Sequence, residues 1–435
     1  MKIIHYPSPA AEKKLKSIIG REIDFRKSDV QAVTRILNDV RQNGDKALIQ
    51  YNRKFDAPNM PLSALQVSPE EMAAASKQVD RGFQRALNRA ASQIESFHRQ
   101  QLPKSWIDTS RPGTLLGQMV HAVDAAGIYV PGGKGGDTPL VSSVLMGAIP
   151  AKIAGVVKIV MATPPTPSGA VSPHLLVAAK KAGVDTIYKM GSAWAIGAMA
   201  YGTETVDKVN VIVGPGNVFV TLAKKMVAGA VGIDMIAGPS EILVIADQTA
   251  NPEFAAADLL SQAEHDRLAS AVLVTDSEAV ARSVKAEVEV QLARLARAEI
   301  ARQSLDAFGA IIVVKKIDVA VTLANHIAPE HLELLLADPM DVAPRLRNAG
   351  AVFLGPYTPE PVGDYVAGPN HVLPTAGTAR YSSALSIDHF IKKTSLIRYS
   401  EEALKKEAKD IMCLANVEGL GAHANAVKVR TNQNK

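Results

Sequence analysis

Apolar positions over the first hundred residues recur at helical spacing. Val30, Val33, Ile36, Leu37 and Val40 fall on one face, with Ser28 where a cap belongs and Asn43-Gly44 where a helix stops. Residues 1 to 20 read as a short arm. A second start signal, Ser68-Pro69-Glu70-Glu71, combines a capping box with proline at the first helical position, and the helix it opens is expected to run to about Gln101. The first 120 residues are thus expected to be mainly helical and to hold no site. From Ala125 the pattern changes to short β-rich runs between helix-length segments, with strands expected at Gly127 to Val130, Val156 to Met161, Thr186 to Met190 and Val209 to Val213. A second alternating region follows, with strands at Glu241 to Ala246, Ala271 to Thr275, Ala310 to Val314 and Ala351 to Leu354. Such alternation predicts βαβ units and parallel sheets, an α/β fold built from two similar units. A basic helix around Ala403 to Ala408 and a tail, Glu418 to His423, close the chain.

Composition narrows the class. A chain of 435 residues with 47% hydrophobic content can bury a large core and divide into two or three domains. The net charge of +5 comes from basic residues interspersed with acidic ones, so neither a nucleic-acid footprint nor a membrane-binding surface is indicated. The longest apolar passage, Val141 to Met161, is broken by Pro150, Lys152 and Lys158, and Met1 to Gly20 holds no continuous apolar run. A soluble, cytoplasmic protein is expected. Cys413 is the single cysteine, which excludes an intramolecular disulfide, argues against a cysteine nucleophile, and reads as a small buried hydrophobe.

Three places carry candidate chemistry. His326 to Glu333 reads His-Ile-Ala-Pro-Glu-His-Leu-Glu, and Pro329 predicts the start of a helix carrying Leu332, Leu334, Leu335 and Leu336. Glu330 and His331 would sit in its first turn, where a carboxylate and an imidazole can exchange protons near neutral pH. A capped surface helix accounts for the same residues. Glycine and proline gather after strand ends, at Pro131-Gly132-Gly133 and Gly214-Pro215-Gly216-Asn217, where backbone N–H groups can approach a phosphate, although no G-x-G-x-x-G is present. A helix capped by Asn251-Pro252 ends in Gln262-Ala263-Glu264-His265, placing Gln262 and His265 on one face. With Asp364 and His423 these could form one N/O metal site, although only the Gln262 and His265 pair is local, a glutamine amide is an uncommon zinc ligand, and on spacing alone unrelated polar residues are the better account.

Taken together, Gly214 to Asn217, Ile233-Asp234-Met235 leading to Ala237-Gly238-Pro239-Ser240-Glu241, Gln262 to Asp266, Ala328 to Leu332, Gly368 to Pro374 and Glu418 to His423 resemble the histidinol dehydrogenase family. The likeness covers essentially the whole chain, including Asn43-Gly44-Asp45 and Phe55-Asp56. It implies a zinc-dependent enzyme of histidine biosynthesis that oxidises L-histidinol through L-histidinal to L-histidine with two NAD. The implied fold has two related, incomplete Rossmann-like domains of aldehyde-dehydrogenase-like type. On that division residues 1–22 are an arm and residues 23–120 a helical segment packing with the catalytic domain, 241–380. Residues 121–240 form the NAD-binding domain, and residues 381–435 a tail exchanged in a homodimer with shared active sites.

Residue by residue, the resemblance implies one zinc per subunit on Gln262, His265, Asp364 and His423, and a catalytic pair of Glu330 and His331. Ser240, His371 and Glu418 would hold the substrate together with Gln262, His265, His331, Asp364 and His423, while Tyr129 and Asn217 would contact NAD. Two departures concern the cofactor side. Trp194 stands in Gly191 to Ile196 where the family pattern has a glutamine, and an indole, donor only, could stack against the cofactor or merely pack. The loop Lys134 to Pro139 is a few residues longer than usual. These departures keep open a relative acting on another polar alcohol; a catalytically silent zinc-binding or assembly protein would not need the proton-transfer pair.

Overall fold

The computed structural model describes residues 1–21, 25–132 and 138–431. Fourteen strands occur among them: β1 (Ile3–His5), β2 (Trp106–Asp108), β3 (Thr114–Ala122), β4 (Ala125–Tyr129), β5 (Lys158–Thr163), β6 (Thr186–Lys189), β7 (Val211–Val213), β8 (Gly232–Ile233), β9 (Glu241–Ala246), β10 (Ser270–Thr275), β11 (Ala310–Val313), β12 (His331–Leu335), β13 (Ala351–Leu354) and β14 (Ile391–Tyr399). The chain divides into two compact units, one of Met1–Gln101 with Asp124–Phe390 and the other of Leu102–Val123 with Ile391–Lys435.

Two parallel sheets build the first unit. The larger has the order β1-β11-β10-β9-β12-β13. Its central strands are buried at every position because both faces are covered, as a parallel sheet requires. On β9, Ile242 and Val244 join the core under helices Pro252–Ala263, Glu278–Leu292 and Ala298–Phe308. Leu243 and Ile245 join the core under Pro9–Ile19 and Ile317–Ile327. The smaller sheet has the order β6-β5-β4-β7-β8, which by appearance is 3-2-1-4-5, with the reversal between β4 and β7. That is the strand order of a doubly wound dinucleotide fold, whose ligand crevice lies at the reversal.

The second unit is an antiparallel sheet, β14-β3-β2, with helices Glu401–Val417 and Gly421–Thr431.

Several expectations change. The N-terminal residues are no free arm: β1 is an edge strand of the larger sheet, followed by helix Pro9–Ile19, which Ser8 caps. The segment Lys27–Phe55 takes its N-cap from Arg26 and is broken, as expected, at Gly44, whose φ of 49° is not helical; a second helix starts just after it, where Glu204 accepts the Asp45 N–H at 2.8 Å and Thr203 and Thr205 bond the Asp45 carboxylate. The capping box of Ser68 and Glu71 forms, but its helix ends at Ala75, and Asp80 caps a separate one, Arg81–Arg99. Residues 331–335 form no helix. Ala328 closes Ile317–Ile327 in the left-handed conformation at φ 54°, and Pro329 follows as a stop signal. His331–Leu335 is then a strand buried on both faces between β9 and β13. Cys413, expected inside, is exposed.

Candidate active site

The acid and imidazole pair stands at the amino ends of β12 and β9. Glu241, first on β9, and Glu330, just before β12, clasp each other reciprocally. The Glu241 N–H donates to Glu330 Oε2 at 3.0 Å, and the Glu330 N–H donates to Glu241 Oε2 at 3.3 Å. Arg21, itself buried, pairs with the other oxygen of Glu241, which also accepts the Ala376 N–H at 3.2 Å. Burial, then the Glu241 charge, raises the Glu330 carboxyl well above the ordinary range.

His331 is fixed by the same strand. Its Nδ1 lies 3.0 Å from the Glu241 carbonyl, an acceptor only, so Nδ1 carries the proton and Nε2 is left as the basic nitrogen. Burial pushes its pKa down to about 4, with His265 and His371 adding to the effect against the opposing Asp364. The ring is therefore neutral at pH 7, the form that can accept a proton. His331 lines a cavity of about 350 Å3 with Asp364, His371, Asn370, Phe97 and Gln101. Phe97 and Gln101 come from the stretch expected to hold no site.

Nε2 of His331 stands 3.9 Å from Glu360 Oε1, and ligand atoms of His331, Glu360 and Asp364 lie within 4.8 Å of one another. Glu360 is the site residue that sequence reasoning missed. It opens helix Glu360–Tyr365 and hydrogen-bonds Asp364 four residues on, the spacing that shares a helix face. Burial and the Asp364 charge raise it to about 8. The Glu333 carboxylate accepts the Glu360 N–H at 2.9 Å, and Ser261 reaches Glu360 Oε2 at 3.4 Å. Ser261 thereby ties in the C-terminal end of Pro252–Ala263, which carries Gln262, with His265 just past its cap.

Of the expected metal ligands, Asp364 belongs to this cluster and Gln262 and His265 stand at that helix end. His423 lies in the second unit on Gly421–Thr431, as does Glu418, the C-cap of Glu401–Val417. The donors suit zinc, which takes imidazole and oxygen ligands. Both polar atoms of the Gln262 amide are buried without a partner, and such orphans normally find one. Nε2 of His371 is likewise buried and unpartnered. Ser240 immediately precedes Glu241, its carbonyl accepting the Ser270 N–H at 3.0 Å.

The turn Gly214-Pro215-Gly216-Asn217 follows the carboxyl end of β7 and Pro131-Gly132 that of β4, while Gly133 lies outside the described residues. At Gly214, φ 117°, a Cβ would meet the Tyr129 carbonyl oxygen at 2.1 Å, so only glycine lets β7 end this close to β4. Asn217 caps Val218–Val227 through its amide oxygen. The hydroxyl of Tyr129, a buried side chain, accepts the Ser192 N–H at 3.0 Å. Trp194 turns inward: its indole donates to Asn52 at 2.7 Å and stacks on Tyr51 and Phe55, so packing accounts for it. Of Lys134 to Pro139, residues 134–137 lie outside the described residues.

A 3-2-1-4-5 sheet whose crevice is closed by glycine, joined in one unit to a buried carboxyl and a neutral imidazole at a cavity wall, defines an α/β enzyme. The comparisons with known proteins make this specific. A family model described as histidinol dehydrogenase matches residues 21–431. The histidinol dehydrogenase of Desulfotalea psychrophila is 56% identical over 423 residues, covering 97% of this chain and 98% of its own. That of Clostridium acetobutylicum is 50% identical over 430 residues, covering 99% of each. The crystal structure of histidinol dehydrogenase from Elizabethkingia anophelis superposes with a TM-score of 0.92 at 40% identity, over 99% of this chain and 98% of that one. The chain belongs to the histidinol dehydrogenase family.

Proposed function

We propose that the protein catalyses the zinc-dependent, four-electron oxidation of L-histidinol through L-histidinal to L-histidine with two NAD, the closing steps of histidine biosynthesis. The observation that carries this is the neutral His331 at the wall of a cavity it shares with Asp364 and His371, with Glu330 locked beside it. Gln262, His265 and Asp364 would hold the zinc, with His423 supplied across a homodimer, and Glu360 would hold the Asp364 carboxylate in place. Tyr129 and Asn217 would contact NAD at the crevice between β4 and β7. When bound, zinc supplies a charged template for the substrate's amine and imidazole nitrogens, and NAD supplies the hydride acceptor.

The chain's own residues do the rest. Nε2 of His331 takes the alcohol proton as the carbinol carbon is oxidised, and later a proton from the hydrated aldehyde. Glu330 activates the water that adds to the aldehyde. Each such acid/base contribution is worth about 100-fold to 10,000-fold. Ser240, His371 and Glu418 would orient the substrate's polar ends.

The test is NADH formation from L-histidinol by the purified protein before and after chelation. Two NADH per histidinol, lost on chelation and restored by zinc, is expected. Full turnover by metal-free protein would remove the zinc role, and no NADH from L-histidinol would remove the assignment.

A further inference from the structure

At the carboxyl edge of the smaller sheet one carboxylate has no work in the scheme above. Asp56 is the C-cap residue of Lys27–Phe55, and it stands beside the ends of β5 and β6. A Cβ on Gly191 would lie 2.9 Å from Pro164, just past β5, and 3.2 Å from Asp56 Oδ2. Tyr129, at the end of β4, feels the Asp56 charge. The Asp56 Oδ2 atom is buried and has no hydrogen-bond partner. Burial alone raises its pKa to about 7, so donors that reached this oxygen would relieve a real cost.

The topology says what such donors would be. In a 3-2-1-4-5 sheet the dinucleotide straddles the reversal, and an acidic residue in the first half receives the ribose hydroxyls of the adenosine. Here that half is β4, β5 and β6. The chain after β5 runs Pro164-Pro165 and offers no acid of its own. Lys189, which ends β6, is committed to Glu71 at 2.6 Å. Beside Asp56 the Phe55 side chain is 56% exposed; its ring is backed by Trp194 at 5.5 Å and carries the Lys54 ammonium 5.0 Å from its centroid, so a base that stacks on this ring takes the place of that flexible side chain.

We propose that Asp56, supplied by a helix outside the sheet, receives the adenosine ribose hydroxyls of NAD and makes the protein select NAD over its 2′-phosphorylated counterpart. A carboxylate accepts from both hydroxyls of a ribose diol but repels a phosphate in the 2′ position. The assignment rests on the NAD-dependent activity proposed above.

The experiment is calorimetric titration of the full-length zinc enzyme with NAD, ADP-ribose and NADP, for the wild type, Asp56→Asn and Asp56→Ser, alongside KM for L-histidinol. Removing the acceptor should weaken NAD and ADP-ribose by about tenfold or more while NADP binding holds or improves, so that discrimination between the two dinucleotides collapses. The KM for L-histidinol should stay within twofold. A uniform loss for all three ligands, or none, in both variants would overturn the assignment, because a merely structural Asp56 cannot tell NAD from NADP. A wild type that forms no NADH and binds neither NAD nor ADP-ribose would overturn the activity reading and this assignment with it.

Discussion

Glu330 and His331 are adjacent in sequence but their surroundings push them in opposite directions. Burial beside Glu241 raises the Glu330 carboxyl, which makes its ionised form a stronger base towards water, while burial and two neighbouring imidazoles favour neutral His331. Groups driven apart in this way can divide acid and base work. Glu330→Gln keeps an oxygen for the Glu241 N–H and should fold normally. In single-turnover assays it is expected to slow oxidation of L-histidinal, which needs hydration, about 100-fold or more, and oxidation of L-histidinol far less. Equal losses would count against a role in water activation. Asp56 gives a prediction on stability. Its folded pKa of about 7 lies above the ordinary aspartate value of 3.8, so the folded state binds the extra proton. The stabilisation is full below about pH 4 and is lost as pH rises to about 7. Allowing for its contact with water, Asp56→Asn should be about 1–2 kcal/mol more stable than the wild type in urea at pH 8, the gap closing towards pH 4. A gap independent of pH would mean that the carboxyl charge is not its source.

The elements whose boundaries could be read from sequence are those with a local signature. β9 and β13 fall where β-branched and apolar runs are bounded by glycine and proline, Gly238-Pro239 before β9 and Gly355-Pro356 after β13, and the caps Ser68 and Asn251 work as read. Misreadings arose where tertiary contacts decide. β12 is buried on both faces and so shows no alternation, and Pro329 before it signals a helix start and a helix stop equally well. Gly44 ends its helix as expected, but the second helix that starts after it was not legible, because the Glu204 carboxylate that nucleates it lies 159 residues away from Asp45. Glu360, between Pro359 and Pro361, belonged to no motif, and only folding brings it to His331. The turn after β7 was legible as glycine, but what locks it was not. The Gly214 N–H donates to Asp234 at 2.8 Å, Lys224 donates to the Gly214 carbonyl at 2.8 Å, and Lys224 and Asp234 form a buried ion pair. Gly214→Ala would drive a methyl into the Tyr129 carbonyl and strain a positive φ. It should lower stability by about 1–3 kcal/mol and weaken NAD binding through a displaced turn, leaving zinc content unchanged. Unaltered NAD affinity would show that the turn does not shape the cofactor site.

At the scale of the whole molecule the question is where Glu418 and His423 act. Both belong to the second compact unit, while Glu330, His331, Asp364, Gln262 and His265 belong to the first. The second unit also exposes Trp106, Ile107, Ile397, Leu414, Val417 and Leu420, more apolar surface than a solvated element ordinarily carries. A homodimer that covers this surface and lends His423 and Glu418 to the neighbouring site would account for both facts. Such sharing has a signature that no single-chain site can imitate. Glu330→Gln and His423→Ala should each be nearly inactive alone. When the two are mixed, unfolded and refolded together, the mixed dimer holds one site with both lesions and one with neither. Random pairing makes half the dimers mixed, so about a quarter of wild-type activity should return. If each site were built from one chain, the mixture would stay as inactive as its parts, and the exposed apolar surface would need another occupant.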